Sequence, residues 1–143
     1  MKFKFLNKRI TGILTILPRN EVLFEDEIDN YNFSYSKSMK LKLAMGYNKK
    51  RVVEEGVCSS DLAIHGLKYL FENNLLVKDE IDALLFISQS PDYFMPPTSN
   101  VIQGILELKN DTICLDINQG CAGYLIGLQQ AFMMLEQEAI KKV

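Results

Sequence analysis

The chain has 143 residues, 48% of them hydrophobic and 24% charged, and a formal net charge of −2, a balance that lets it bury a core and excludes intrinsic disorder. Its acids and bases are interspersed, without the basic stripe that marks a nucleic-acid binder. No segment approaches the ~18 uninterrupted apolar residues of a membrane span, so neither nucleic acid nor a membrane is expected as a partner.

In chain order, the N-terminus carries a basic start and an apolar section. Lys8 and Arg9 interrupt it and no small-residue cleavage site follows, so it reads as a leading strand and not as a signal peptide. That strand is predicted over Arg9–Leu17, "RITGILTIL", β-branched and closed by Pro18. Residues 20–47 read as helix and loop whose charges form a solvated cap, and a small strand follows at Lys50–Val53. "SSDLAIHGLKYLFENN" opens on a Ser-Ser-Asp cap, places Leu62, Ile64, Leu67, Leu70 and Phe71 near helical spacing, and stops at Asn73-Asn74. Ile81–Ser88 is a continuous apolar segment of strand length, the pattern of a strand covered on both faces. Three prolines in "QSPDYFMPPTSN" then forbid regular structure.

A helix capped by Thr98 or Ser99, a strand over Asp111–Ile117 and a last helix from Cys121 to about Glu138 complete the order. The last helix places Leu125, Leu128, Ala131, Phe132 and Leu135 on its apolar face. Strands alternating with helices predict a layered α/β domain over residues 1–143, with a mixed, mainly parallel sheet. The closing "IKKV" reads as a helix end with a new strand starting at Val143.

Cys58, Cys114 and Cys121 form no CxxC pair, and the chain has one histidine. Neither a disulfide framework nor a tetrahedral zinc site fits this set, so no metal and no bound cofactor is expected, and the thiols are read as reduced, in the cytoplasm. Cys121 stands apart because it follows a strand directly and precedes a helix. Ligands of parallel α/β sheets bind at that carboxyl edge. The free N–H groups and macrodipole of a helix start favour an anion, and a thiol there ionises more readily. Gly120 permits a sharp turn; Ala122 and Gly123 keep the first turn slim, so that a substrate carbonyl can approach the Cys121 N–H as an oxyanion donor. Gly127, one turn on, permits close packing against a neighbour. A small buried hydrophobe at a helix start is the competing reading of Cys121.

"DINQGCAGYLIGL" resembles the active-site segment of β-ketoacyl-acyl carrier protein synthase III, a thiolase-fold condensing enzyme. "RITGILTILP", "GYNKKRVV", the stretch from Ser59 to Ser88 and "PPTSNVIQGILEL" are similar to the family's other N-terminal segments in order and spacing. The resemblance implies a thiolase-like half-domain, with the chain ending before the half is complete. It also implies a two-step acyl transfer. Cys121 takes an acyl primer from acyl-coenzyme A or an acyl carrier; malonyl-acyl carrier protein then loses carbon dioxide and extends the primer to a 3-oxoacyl product, in fatty acid or related biosynthesis. Acyl carrier protein is the implied partner, and a homodimer the implied assembly, through the region of residues 88–117.

In the family, a histidine and an asparagine beyond this stretch promote decarboxylation, and His65 matches no catalytic position. Met95 falls near the residue that limits the family's primer pocket. Lys40 and Ala44 stand where the family usually holds the coenzyme A adenine, which makes a carrier-bound primer an option. A non-catalytic partner of acyl carrier protein and another thiolase-fold enzyme, such as a hydroxymethylglutaryl-coenzyme A synthase, are the alternative readings. Asp116 reads as a strand-end carboxylate that satisfies loop N–H groups, and Cys114 as a buried, inert thiol.

Overall fold

Backbone pairing divides the described chain, residues 2–143 of a computed structural model, into two sheets of two strands each, one antiparallel and one parallel. The residues gather correspondingly into two units, 16–57 and 2–15 with 58–143. The mixed sheet expected from the alternation is thus distributed over two separate pairs.

In residues 16–57, β1 (Asn20–Leu23) and β2 (Lys49–Val52) pair antiparallel, Asn20 opposite Val52 and Leu23 opposite Lys49. Glu21 lies opposite Arg51, and its carboxylate meets both Arg51 (3.2 Å) and Lys49 (3.0 Å), the cross-strand arrangement that favours this register. Between the strands in sequence lies α1 (Tyr35–Met45). It ends at Gly46 with φ 67°, a left-handed C-cap that glycine adopts without Cβ strain. Phe24 is the buried centre of this unit, stacked on Tyr31 and met edge-on by Tyr47. The acids and bases of this region do form the solvated, ion-paired surface expected of them.

The strand expected over Arg9–Leu17 does not form. Residues 8–18 take no regular structure, and Ile13 and Leu17 are exposed. A strand exists only through its ladder partner, and among the described residues no strand pairs with this segment. Residues 10–14 instead border a groove with Tyr124, Leu128 and Phe132.

In the larger unit, β3 (Ala83–Ile87) and β4 (Ile113–Ile117) pair in parallel, with Ala83 beside Ile113 and Ile87 beside Ile117. One face of the pair is covered by α2 (Ser59–Glu72) and α3 (Thr98–Leu106). Phe86, Ile102, Leu106 and Leu108 form the buried centre there, with Ile64, Leu67 and Phe71 of α2 packed on it. α2 is capped one residue earlier than expected: the N–H of Cys58 donates to the Asp61 carboxylate at 2.8 Å.

The opposite face receives α4 (Gly123–Met134), which starts two residues later and stops earlier than expected. Its contact with β3 is not the leucine stripe that the spacing suggests, since Leu125 is 69% exposed. Gly123 and Gly127 are the buried positions, and both press on Ile87. Glycine lets the helix approach more closely than a leucine row would. On that same face of β4, Ile113 and Leu115 remain exposed. Among the described residues no helix is long and apolar enough to cross a membrane.

The chain's end returns to β3. Asp82 accepts the N–H groups of Lys141 (2.7 Å) and Lys142 (3.0 Å) and the ammonium of Lys109 (3.2 Å), while its own N–H donates to the carbonyl of Lys142. Chiefly the Lys141 N–H, helped by Lys142 and Lys109 and opposed by partial burial, holds the Asp82 carboxyl below the ordinary aspartate range. A depressed folded-state pKa contributes stability above the unfolded value of about 3.9, and that stability is lost as pH falls through the lower folded value. Asp82→Asn is therefore expected to weaken the chain at neutral pH and to flatten its loss of stability below about pH 4, as read by urea unfolding at stepped pH.

Candidate active site

The carboxyl ends of β3 and β4 point the same way, and the connection from β4 to α4 turns there in five residues, Asn118–Ala122. Gln119 N–H bonds back to the Ile117 carbonyl at 3.0 Å, and Gly123 N–H to the Gly120 carbonyl at 2.8 Å, so the turn is closed at both ends. Cys121 sits on it, exposed, two residues ahead of the first helical residue. Among the described residues, the N–H groups of Cys121 and Ala122 donate no hydrogen bond, while Ala122 passes its carbonyl to Ile126. A carbonyl reaching the thiol therefore finds unengaged backbone donors at the same place.

Gly120 opens a sharp turn as expected, closed by the Gly123 N–H on its carbonyl, but without adopting a positive φ. Its lack of a side chain leaves room for Gln89, whose amide occupies the space a Cβ would take. Gly123 likewise does not open toward a substrate: a Cβ there would lie 2.7 Å from Cγ2 of Ile87. Ala122 is the exposed N-cap of α4. The expected close packing at Gly127 is realised, again on Ile87.

Asp116 behaves as a strand-end aspartate should. Its carboxylate accepts the N–H groups of Thr98 (2.7 Å) and Ser99 (2.8 Å), the first residues of α3. The N-cap is Pro97, so Thr98 and Ser99 lie inside the helix and not at its cap. Both are fully buried, so a carboxylate from another strand supplies what a capping side chain would. The loop 88–97 is tied in by Asp92, which accepts from the Ser60 hydroxyl and donates its N–H to Thr98 Oγ1 at 3.2 Å. Ser60 and Asp92 are separated by 32 residues, and no local pattern in the sequence links them.

Between these elements lies a cavity of about 180 Å³, walled by Phe86, Tyr93, Phe94 and Ile117, with Asp116 and Asn118 as polar lining. Met95 is not in its wall; it stands 82% exposed at the loop tip beside Phe94, itself 96% exposed. His65 is exposed on α2 and does not line this cavity. Cys114 is partly buried in β4 and donates to the Thr112 carbonyl. Burial first, and then the charge of Asp116, push its thiol pKa up, which keeps it protonated and inert.

No family model matches the chain. A Campylobacter jejuni protein assigned as 3-oxoacyl-acyl-carrier-protein synthase 3 is 34% identical over 95% of the chain and 39% of its own length. Over nearly its whole length, the chain is similar to 3-oxoacyl-acyl carrier protein synthases III. A synthase III of Phocaeicola vulgatus is 27% identical over 96% of the chain and 40% of its length. In structure, a 3-oxoacyl-(acyl-carrier protein) synthase of Burkholderia xenovorans superposes with a TM-score of 0.78 at 29% identity, over 87% of the chain and 35% of that protein. The fold is thiolase-like in the way the resemblance implied, and the chain spans about two-fifths of the length of these synthases. That coverage is consistent with an N-terminal half.

Proposed function

We propose that this chain carries the acyl-accepting site of a 3-oxoacyl-acyl carrier protein synthase III. The observation that carries the reading is the exposed Cys121 thiol on a closed strand-to-helix turn, beside unengaged N–H groups at the carboxyl edge of a parallel pair. In the first step the sulfur attacks the thioester carbonyl of an acyl-coenzyme A or acyl carrier. The donor's carbon–sulfur bond breaks, its thiol leaves with the proton, and an acyl-Cys121 thioester forms. In the second step malonyl-acyl carrier protein loses carbon dioxide and its carbanion displaces Cys121, giving a 3-oxoacyl-acyl carrier protein and the free thiol.

The cavity of about 180 Å³ lies at the same strand edge but does not include Cys121 in its lining, so it is a neighbouring space and sets no primer length. Acyl carrier protein is the proposed partner and the cytoplasm the proposed setting. The proposed assembly is a homodimer, supported by the exposed Tyr93, Phe94 and Met95 tip.

Incubation with a short acyl-coenzyme A or acyl carrier protein, followed by intact-mass and peptide analysis, tests the first step. One acyl mass is expected on the peptide holding Cys121, none on those holding Cys58 or Cys114, and none in Cys121→Ala. No mass on Cys121 together with tight binding of acyl carrier protein would replace this reading with that of a non-catalytic partner. Because the chain spans two-fifths of its relatives, the 143-residue protein alone is expected to release no 3-oxoacyl product from malonyl-acyl carrier protein.

A further inference from the structure

Resting on the acyl-transfer reading, we infer that Gln89 is a positioning residue for the acylation of Cys121, acting through the backbone at Gly120. Gln89 follows β3 by two residues and is exposed. Its amide nevertheless lies against the residue preceding the nucleophile: Nε2, Cδ and Oε1 stand 2.6, 2.7 and 2.9 Å from the position a Cβ on Gly120 would occupy. Because Gly120 has no positive φ, its backbone does not require glycine, and Gln89 is what occupies the vacated space.

An exposed glutamine contributes little to a core and can extend into water at no polar cost. Here a group that both donates and accepts hydrogen bonds is placed on the turn whose Gly120 carbonyl already holds Gly123 N–H. The amide makes no hydrogen bond to this turn among the described residues; it fills the space beside Gly120 by contact alone, from the end of the neighbouring parallel strand, and that contact is what limits the movement of the peptide ahead of Cys121.

The obstructing atoms are the far end of a flexible side chain, so Gly120→Ala displaces the Gln89 amide at little cost to folding. Gln89→Ala and Gly120→Ala therefore remove the same group from the same place by independent routes. Each is expected to slow acyl uptake by Cys121 by about tenfold, short of the ~100-fold that a 1 Å misplacement costs. The loss falls on the rate at saturating donor and not on the half-saturating concentration. The double variant is expected to be no slower than either single, with thermal midpoints matching the parent chain.

Uptake at the parental rate in either single variant, or losses that multiply in the double, would overturn the inference. If the parent chain itself takes no acyl group, the acyl-transfer reading fails separately. Iodoacetamide alkylation of Cys121 then decides the bracing role: one common change of rate in both single variants supports it, and unchanged rates overturn it.

Discussion

Asp116→Ala is expected to lower the unfolding free energy by about 3–6 kcal/mol, since it removes the charged acceptor of two hydrogen bonds, each of which contributes roughly 1.5–3 kcal/mol when one partner is ionised. Urea denaturation followed by circular dichroism checks it. The size follows from where the donors lie. The N–H groups of Thr98 and Ser99 belong to the first turn of α3, which has no intrahelical partners for them, and both residues are fully buried, so water does not replace the carboxylate. The negative charge also faces the positive end of the α3 dipole. Asp116→Asn keeps one acceptor oxygen but not the charge, and is expected to lose about half as much. Since Asp116 is the penultimate residue of β4, loosening it also loosens the strand end that feeds the Cys121 turn. Acyl uptake is expected to fall with stability. An Asp116→Ala chain as stable as the parent would show that α3 finds its acceptors elsewhere.

That carboxylate illustrates what the sequence could and could not disclose. A strand-end aspartate serving backbone N–H groups is legible from its place after an apolar strand. Its clients are not, because Thr98 and Ser99 lie 18 and 17 residues away and look like caps for their own helix. The parallel pair and the helices that cover its buried face were legible for the same reason that strand and helix periods differ: Phe86, Ile102 and Leu106 repeat at spacings that bury them. The Arg9–Leu17 segment has strand composition but no ladder partner, and composition supplies no partner. For α4, an apolar count over a mostly apolar helix misplaces the contacting face. When large apolar residues lie on more than one side, the small residues decide which side comes closest, and the signal was in Gly123 and Gly127.

Those two glycines yield the second large effect. Gly123→Ala is expected to cost about 1–2 kcal/mol net, the roughly 1–3 kcal/mol of overpacking less part of the ~1 kcal/mol that alanine gains over glycine in a helix. The added Cβ would stand 2.7 Å from Cγ2 of Ile87 and 3.3 Å from Cβ of Gln119. Neither atom is the free end of a side chain. Cγ2 branches directly from a β-branched residue of β3, whose χ1 has few wells to move to, so relief requires the helix start to lift from the strand. The Cys121 turn lifts with it, and acyl uptake should fall alongside stability.

Gly127→Ala meets Cδ1 and Cγ1 of the same isoleucine, at 2.9 and 3.0 Å. Cδ1 is the flexible end, so this substitution should cost less than Gly123→Ala despite lying deeper in the helix. Ile87→Ala removes the obstruction for both. The double variant Ile87→Ala with Gly123→Ala is expected to be more stable than the sum of its singles, by a coupling of about 0.5–3 kcal/mol as found for residues in direct contact. Simple additivity would show that α4 is held near Cys121 by something other than Ile87.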